Sequence, residues 1–171
     1  IQPLTHAKYS GRVLKKGVQY SPPPPANDPH DLDEAALSEI FAKSDRDLVA
    51  TLGGKANLGG THANAVCDLA KIAPNSAPGD VEVKLIHEAL SSLLGSLAND
   101  AKGYLILDTE EDQTPEQLQA LVDKQVDGAE RDKFLAQYVS EASPTLLPSH
   151  SGKAIMEFEQ LCQAVDAWRG A

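Results

Sequence analysis

The chain has 171 residues, 42% of them hydrophobic, which is enough for one domain with a buried core. Its formal net charge of −10 argues against a nucleic-acid-binding surface, because contacts to phosphates need clustered Lys and Arg. Its apolar runs are all shorter than a membrane span, so we expect no transmembrane segment.

Residues 1–30 are expected to form an extended, basic arm. Its first 20 residues contain no acid, and they hold four cations: Lys8, Arg12, Lys15 and Lys16. Apolar residues scattered between glycines favour a short strand–turn–strand there. A run of four prolines then favours a stiff polyproline II connector: Pro22, Pro23, Pro24 and Pro25. The arm is a candidate partner-binding site. The more common use of such a segment is a solvated tail, lying on the chain's own acidic surface, with the prolines as a spacer.

Residues 31–171 are predicted to form one helical domain. The first helix is expected to begin with Asp31 as its N-cap, because Glu34 follows three positions later. It is expected to extend to Gly53, because apolar residues recur at helical spacing: Leu37, Ile40, Phe41, Leu48 and Leu52. The glycine-rich stretch 53–60 does not match the P-loop pattern, so we expect it to connect this helix to a short second one.

The segment 80–98 is predicted to be the central helix of the domain. Apolar residues lie on one side of it at three- and four-residue spacing: Val83, Ile86, Leu90, Leu93 and Leu97. Three further residues widen this stripe beyond the usual face of a surface helix: Leu85, Ala89 and Leu94. We therefore expect several neighbouring helices to surround this segment.

The second half of the chain is also predicted to be helical. The apolar run 103–107 has no periodicity, and a last helical turn is favoured over a lone extended piece. Thr114, Pro115 and Gln117 have the pattern of a capped helix start. Helical stripes then follow at residues 134–142 and 154–168. The predicted fold is an all-α, single-domain bundle of about six helices around the segment 80–98.

The two cysteines, Cys67 and Cys162, bear on the cellular location of the protein. Neither belongs to a CxxC pattern, and a disulfide between them would stabilise the fold by about 4 kcal/mol on the chain-entropy model. Two buried free thiols are the alternative. The start at Ile1 fits a cleaved secretion signal and a trimmed cytoplasmic protein alike, and the cysteines favour the first, an extracellular or secreted protein.

No catalytic, cofactor-binding or metal-ligating set is predicted. The sequence lacks the HExxH, Glu-x-x-His and G-x-S-x-G patterns, and its acidic stretch 108–112 lacks the EF-hand spacing. The first hypothesis is therefore a non-enzymatic domain that binds another macromolecule, and a protein is the expected partner. A carrier of an apolar small molecule or lipid, held between helices, is the second, and an enzyme of unrecognised type is the third.

Overall fold

Two hydrophobic cores organise the part of the chain that the computed structural model describes, which is residues 7–9, 12–14, 17, 19, 27–99, 102–109, 113–124 and 129–169. This part contains seven α-helices: α1 (Glu34–Ala42), α2 (Leu48–Gly54), α3 (Gly59–Ala70), α4 (Val83–Asn99), α5 (Pro115–Asp123), α6 (Ala129–Tyr138) and α7 (Leu161–Arg169). It also contains five strands: β1 (Ala7–Tyr9), β2 (Arg12–Leu14), β3 (Gly103–Leu107), β4 (Val139–Ser143) and β5 (Ala154–Phe158). The all-α prediction is therefore wrong, because β3, β4 and β5 form an antiparallel sheet.

The helical core is built by helices α1 to α4, and α4 packs against both α1 and α3. The predicted helix is present, although it begins at Val83 and not at Asp80, but it is not the centre of the whole domain, because the sheet core contains none of its residues. Four of its residues are buried in the helical core: Ile86, Ala89, Leu90 and Leu93. Leu85, which was predicted to widen the buried stripe, is instead 39% exposed. The helix thus organises the first half of the chain, and a separate core forms in the second half.

The predicted first helix is in fact two helices, α1 and α2. Asp33, and not Asp31, is the N-cap of α1, and its carboxylate accepts a hydrogen bond from the Ala36 N–H at 2.7 Å. Asp47 caps α2 in the same way, accepting from the Ala50 N–H at 2.8 Å. A carboxylate that accepts a hydrogen bond from a free N–H group stabilises the start of a new helix. The apolar residues keep their helical spacing along the sequence, although the helix itself is interrupted between α1 and α2.

The sheet has the strand order β4-β3-β5, with β3 in the centre. All five residues of β3 are buried, so both of its faces are covered. This explains why its sequence shows no alternation, since a strand that is buried on both faces has no polar side. One face, with α5, α6 and α7, forms the sheet core: Leu105, Leu107, Leu118, Leu135, Ala154 and Ala164.

The segment 144–150 lies beside the sheet on the face opposite to the sheet core. Glu141 pairs with Ile106 in the sheet and therefore lies on this face. The buried ring of His150 lies 3.3 Å from the Glu141 carboxylate, measured from Nε2 to Oε2. Leu147, from the same segment, is part of the helical core. The segment 144–150 therefore connects the two cores.

A β-bulge explains why β4 was predicted to continue a helix. The register shifts between Ile106 and Leu107, which pair with Glu141 and Val139, so that Ser140 is the extra residue. Because of this extra residue, Val139 and Ala142 both pack against the sheet core although they are three positions apart. Three-residue spacing normally indicates a helix, and here the bulge reproduces it in a strand.

The prediction of a helix over 154–168 is also wrong for residues 154–158, which form strand β5. Ala154 and Phe158 are four positions apart, and both pack on the sheet core from β5. A spacing of four places two residues on one face of a helix and also on one face of a strand, so this pair could not distinguish the two. The helix proper, α7, begins at Leu161.

The N-terminal arm is described only in part. Strands β1 and β2 pair antiparallel, with Ala7 opposite Leu14 and Tyr9 opposite Arg12, which confirms two paired strands; the residues between them, 10 and 11, lie outside the described residues. Lys8 and Arg12 lie in these two strands. Lys15, Lys16 and the four prolines lie outside the described residues. A boundary near residue 30 and a partner-binding arm both stay predictions.

Both cysteines carry free thiols, so the disulfide expected between them is not formed. Cys67 is fully buried in the helical core, whereas Cys162 is exposed on α7 beside the sheet core. Burial, followed by the nearby Asp68 and Asp47 carboxylates, raises the pKa of the Cys67 thiol to about 11. The expectation of secretion thereby loses the support that a disulfide would have given it.

We expect a thiol reagent at pH 8 to label one cysteine quickly and the other only after unfolding. Cys162 is accessible, while Cys67 is both enclosed and protonated, and the thiolate is the reactive form. Ellman's reagent measures the two phases. Cys162→Ser is the control and should remove the fast phase alone; fast labelling of Cys67 in that variant would contradict its burial.

Candidate functional site

A cleft with a volume of about 650 Å³ lies between α5, α6 and β5, and we refer to it as the β5 cleft. Its apolar lining consists of side chains that are only partly buried: Leu121, Val122, Phe134, Ile155, Met156 and Phe158. All of these except Ile155 pack against the sheet core from its outer side. Polar atoms provide about half of the lining surface, and the volume is in the range of ligand sites in proteins.

The cleft runs along the free edge of β5, because β5 is an outer strand of the sheet. At this edge the side-chain amide of Gln119, from α5, occupies the position that a neighbouring strand would take. Its Oε1 accepts from the Ile155 N–H at 2.7 Å, and its Nε2 donates to the Ile155 carbonyl at 3.1 Å. The main-chain groups of Ile155 therefore point out of the sheet and into the cleft.

The main-chain groups of Glu157 point in the same direction. Outward and inward main-chain groups alternate along an antiparallel edge strand, so a residue two positions after Ile155 has the same orientation. The register agrees, since Ile155 and Glu157 pair with Ile106 and Tyr104, which are also two positions apart. The described residues provide no partner for the Glu157 N–H and carbonyl. The cleft thus presents one donor and one acceptor beside an apolar wall.

Three charged side chains also line the β5 cleft, and two of them are engaged. The Asp123 carboxylate accepts from the Gln119 amide at 3.0 Å, and the Glu157 carboxylate accepts from Lys102 at 2.5 Å. The third is Arg131, on α6, which is half-buried. It makes no ion pair or hydrogen bond with any residue that the structure describes. Arg131 is therefore the charged side chain of the cleft that has no hydrogen-bond partner among the described residues.

The buried histidine, His150, has a structural role. Its Nδ1 accepts from the Leu147 N–H at 3.1 Å, so in the neutral ring the proton lies on Nε2 and is donated to Glu141. Both ring nitrogens are thus occupied, and neither faces the β5 cleft's lining. His150 holds the segment 144–150 in place and is not a candidate base.

The described residues contain no group of three or more side chains suited to hold a metal ion. Of the acidic stretch 108–112, the structure describes Asp108, and Lys153 donates to its carboxylate at 2.8 Å, which lowers the pKa of Asp108. Glu110, Glu111 and Asp112 lie outside the described residues. Within the same part of the chain, the helices are all too short or too polar to cross a membrane.

Phe134 and Phe158 lie in the predicted helical stripes 134–142 and 154–168, and the sequence alone missed the cleft. Phe134 and Phe158 line it, and the Phe134 ring lies 4.9 Å from that of Tyr138, between ring centroids. The site was missed because β5, which forms one wall, was taken for a helix. The sequence of β5 gives little signal of a strand, because Ile155 is apolar like Ala154, Met156 and Phe158, and only Glu157 interrupts the run.

The chain was compared with protein-family models, with curated proteins and with solved structures, and none of the three comparisons found a match.

Proposed function

We propose that the chain is a non-enzymatic binding domain, and that it holds an extended segment of a protein partner in the β5 cleft. The observation that supports this proposal is the unpartnered N–H and carbonyl of Glu157 at the edge of β5, in a cleft lined by both apolar and polar side chains. Addition of a strand to a sheet edge is a common mode of peptide recognition, in which main-chain bonds give affinity and side-chain pockets give specificity.

The bound segment lies alongside β5 and exchanges main-chain hydrogen bonds with Glu157. Its side chains alternate, so every second one faces the apolar lining made by Phe134, Met156 and Phe158. The Gln119 amide is hydrogen-bonded to the main chain of Ile155, the other outward-facing residue of β5. Ile155 is therefore not available for non-specific pairing with a strand of another chain. The cleft is therefore built for a short extended segment.

An apolar small molecule would use the same lining, and this is the carrier hypothesis. It would leave the donor and acceptor of Glu157 without partners, and burying unpaired polar groups under a ligand costs free energy. A peptide main chain has both groups at the required spacing. For this reason a protein segment fits the cleft better than a lipid does.

The test is a selection of random linear peptides displayed on phage against the purified protein. We expect a selected peptide to lose about tenfold in affinity when the amide that pairs with Glu157 is N-methylated, because the hydrogen bond to the Glu157 carbonyl loses its donor. Isothermal titration calorimetry of a series methylated at one amide each measures this. Hydrogen exchange should show new protection at residues 155–158.

A matched pair of variants locates the binding. Leu121→Arg places a cation in the cleft and should abolish binding, while Leu85→Arg makes the same change at an exposed leucine on α4 and should leave it unchanged. Equal binding by both variants would disprove the location. Co-purification of a stoichiometric lipid, detected by mass spectrometry and displaced from the cleft, would favour the carrier instead.

A further inference from the structure

We infer that Arg131 binds the terminal carboxylate of the ligand, so that the segment held in the β5 cleft is an apolar carboxyl terminus of the partner. This inference rests on the proposed function and specifies its ligand. It depends on the charges that line the cleft and on the length of the free edge of β5.

The hydrogen bonds of the charged side chains leave one cation of the cleft, Arg131, available to a ligand. Asp123 and Glu157 are already engaged by Gln119 and Lys102, whereas Arg131 has no partner among the described residues. A half-buried guanidinium binds a carboxylate with paired, charge-assisted hydrogen bonds, which are stronger than those between neutral groups. The ligand therefore needs a carboxylate close to its apolar contacts.

The protein as a whole selects against ligands with several negative charges. Its formal net charge is −10, and the Asp123 carboxylate keeps its negative charge at the cleft, because its partner is the neutral Gln119 amide. A strongly acidic segment would be repelled by this field, which lowers its rate of association. A ligand with a single carboxylate on an otherwise apolar segment is favoured. A protein chain that ends in an apolar residue provides such a ligand.

The length of the free edge also fits a chain end. Of the five residues of β5, only Ile155 and Glu157 point their main-chain groups outward, and Gln119 occupies Ile155. The strand then stops at Phe158, because the chain turns into α7 at Leu161. One free donor and one free acceptor cannot hold a long added strand. They suffice for the last residues of a chain, whose carboxylate supplies the further contact.

The experiment compares two pools of rhodamine-labelled peptides by fluorescence anisotropy. Both pools have random apolar residues and end in leucine, one with a free carboxylate and the other with a carboxamide. We expect the wild-type protein to bind the free-acid pool about tenfold more tightly, since a charge-assisted pair is lost in the amide. Arg131→Ala should remove this preference, and Arg131→Lys should retain part of it. Lys133→Ala, an exposed cation on the same helix, is the control and should leave the preference unchanged.

Each result leads to a separate conclusion. Equal binding of both pools by the wild-type protein overturns the carboxylate inference and leaves the peptide-binding function intact. A preference that persists in Arg131→Ala overturns the role of Arg131. Binding of neither pool, together with failure of the phage selection, overturns the proposed function and the inference with it. The comparison of pools uses the wild-type chain alone, so it is decisive even if a variant fails to fold.

Discussion

Leu90→Ala is expected to lower the free energy of unfolding by about 2–5 kcal/mol. Leu90 is 1% exposed and lies midway along α4, where the helical core surrounds it. Truncation removes apolar contacts and leaves a cavity that the neighbouring helices close only in part. Such a loss is a large share of the stability of a typical domain. Urea melts followed by circular dichroism measure it.

Leu85→Ala is the matched control, since it makes the same chemical change on the same helix. Leu85 is 39% exposed, so its truncation should cost less than about 1 kcal/mol. If the two variants lost equal stability, α4 would not have the buried face that the structure gives it. The helical core would then need a different arrangement.

Gly103→Ala is expected to destabilise the sheet by about 3 kcal/mol or more, at the upper end for an overpacked site. A Cβ atom on Gly103 would lie 2.3 Å from the carbonyl oxygen of Gln160 and 3.0 Å from the Cβ of Ala164. The Gln160 atom belongs to the backbone, so no side-chain rotation relieves the clash. Either β3 or the start of α7 must move.

The position of Gly103 links this prediction to the β5 cleft. Gly103 pairs with Phe158, which lines the cleft, so a shifted β3 should also weaken peptide binding. Thermal melts and the anisotropy assay measure the two effects. The control is Gly95→Ala, in the interior of α4, where no atom lies within 4 Å of the added Cβ. That change should stabilise the protein by about 0.5–1 kcal/mol, because alanine loses less entropy in a helix. A stable Gly103→Ala protein with normal binding would contradict the close approach of α7 to β3.

Gln119 shows how this fold treats an exposed sheet edge. The free edge of an outer strand is a template for unwanted pairing with other chains. Gln119 occupies the main-chain groups of Ile155 and also donates to Asp123, which fixes its orientation. It leaves a single residue, Glu157, available for a ligand. The same side chain thus protects the edge and limits the length of the bound segment.

Local features of the sequence were sufficient to predict the elements whose stability is local. The capping box of Thr114 and Gln117 is present at the start of α5, as its pattern indicated. The three- and four-residue spacing of Ile86, Leu90 and Leu93 identified α4 and its buried face. Caps and helical stripes depend on residues within one or two turns, so a single sequence contains what is needed to recognise them.

The sheet, and the candidate site with it, was decided only by the tertiary structure. Strand β3 is buried on both faces and shows no period, and the bulge at Ser140 gave β4 the spacing of a helix. The four-residue spacing of β5 fits a helix and a strand equally. Strand pairing depends on residues far apart in the chain, as with Tyr104 and Glu157. The free edge that forms the β5 cleft exists only after that pairing, so the spacing of neighbouring residues could not reveal it.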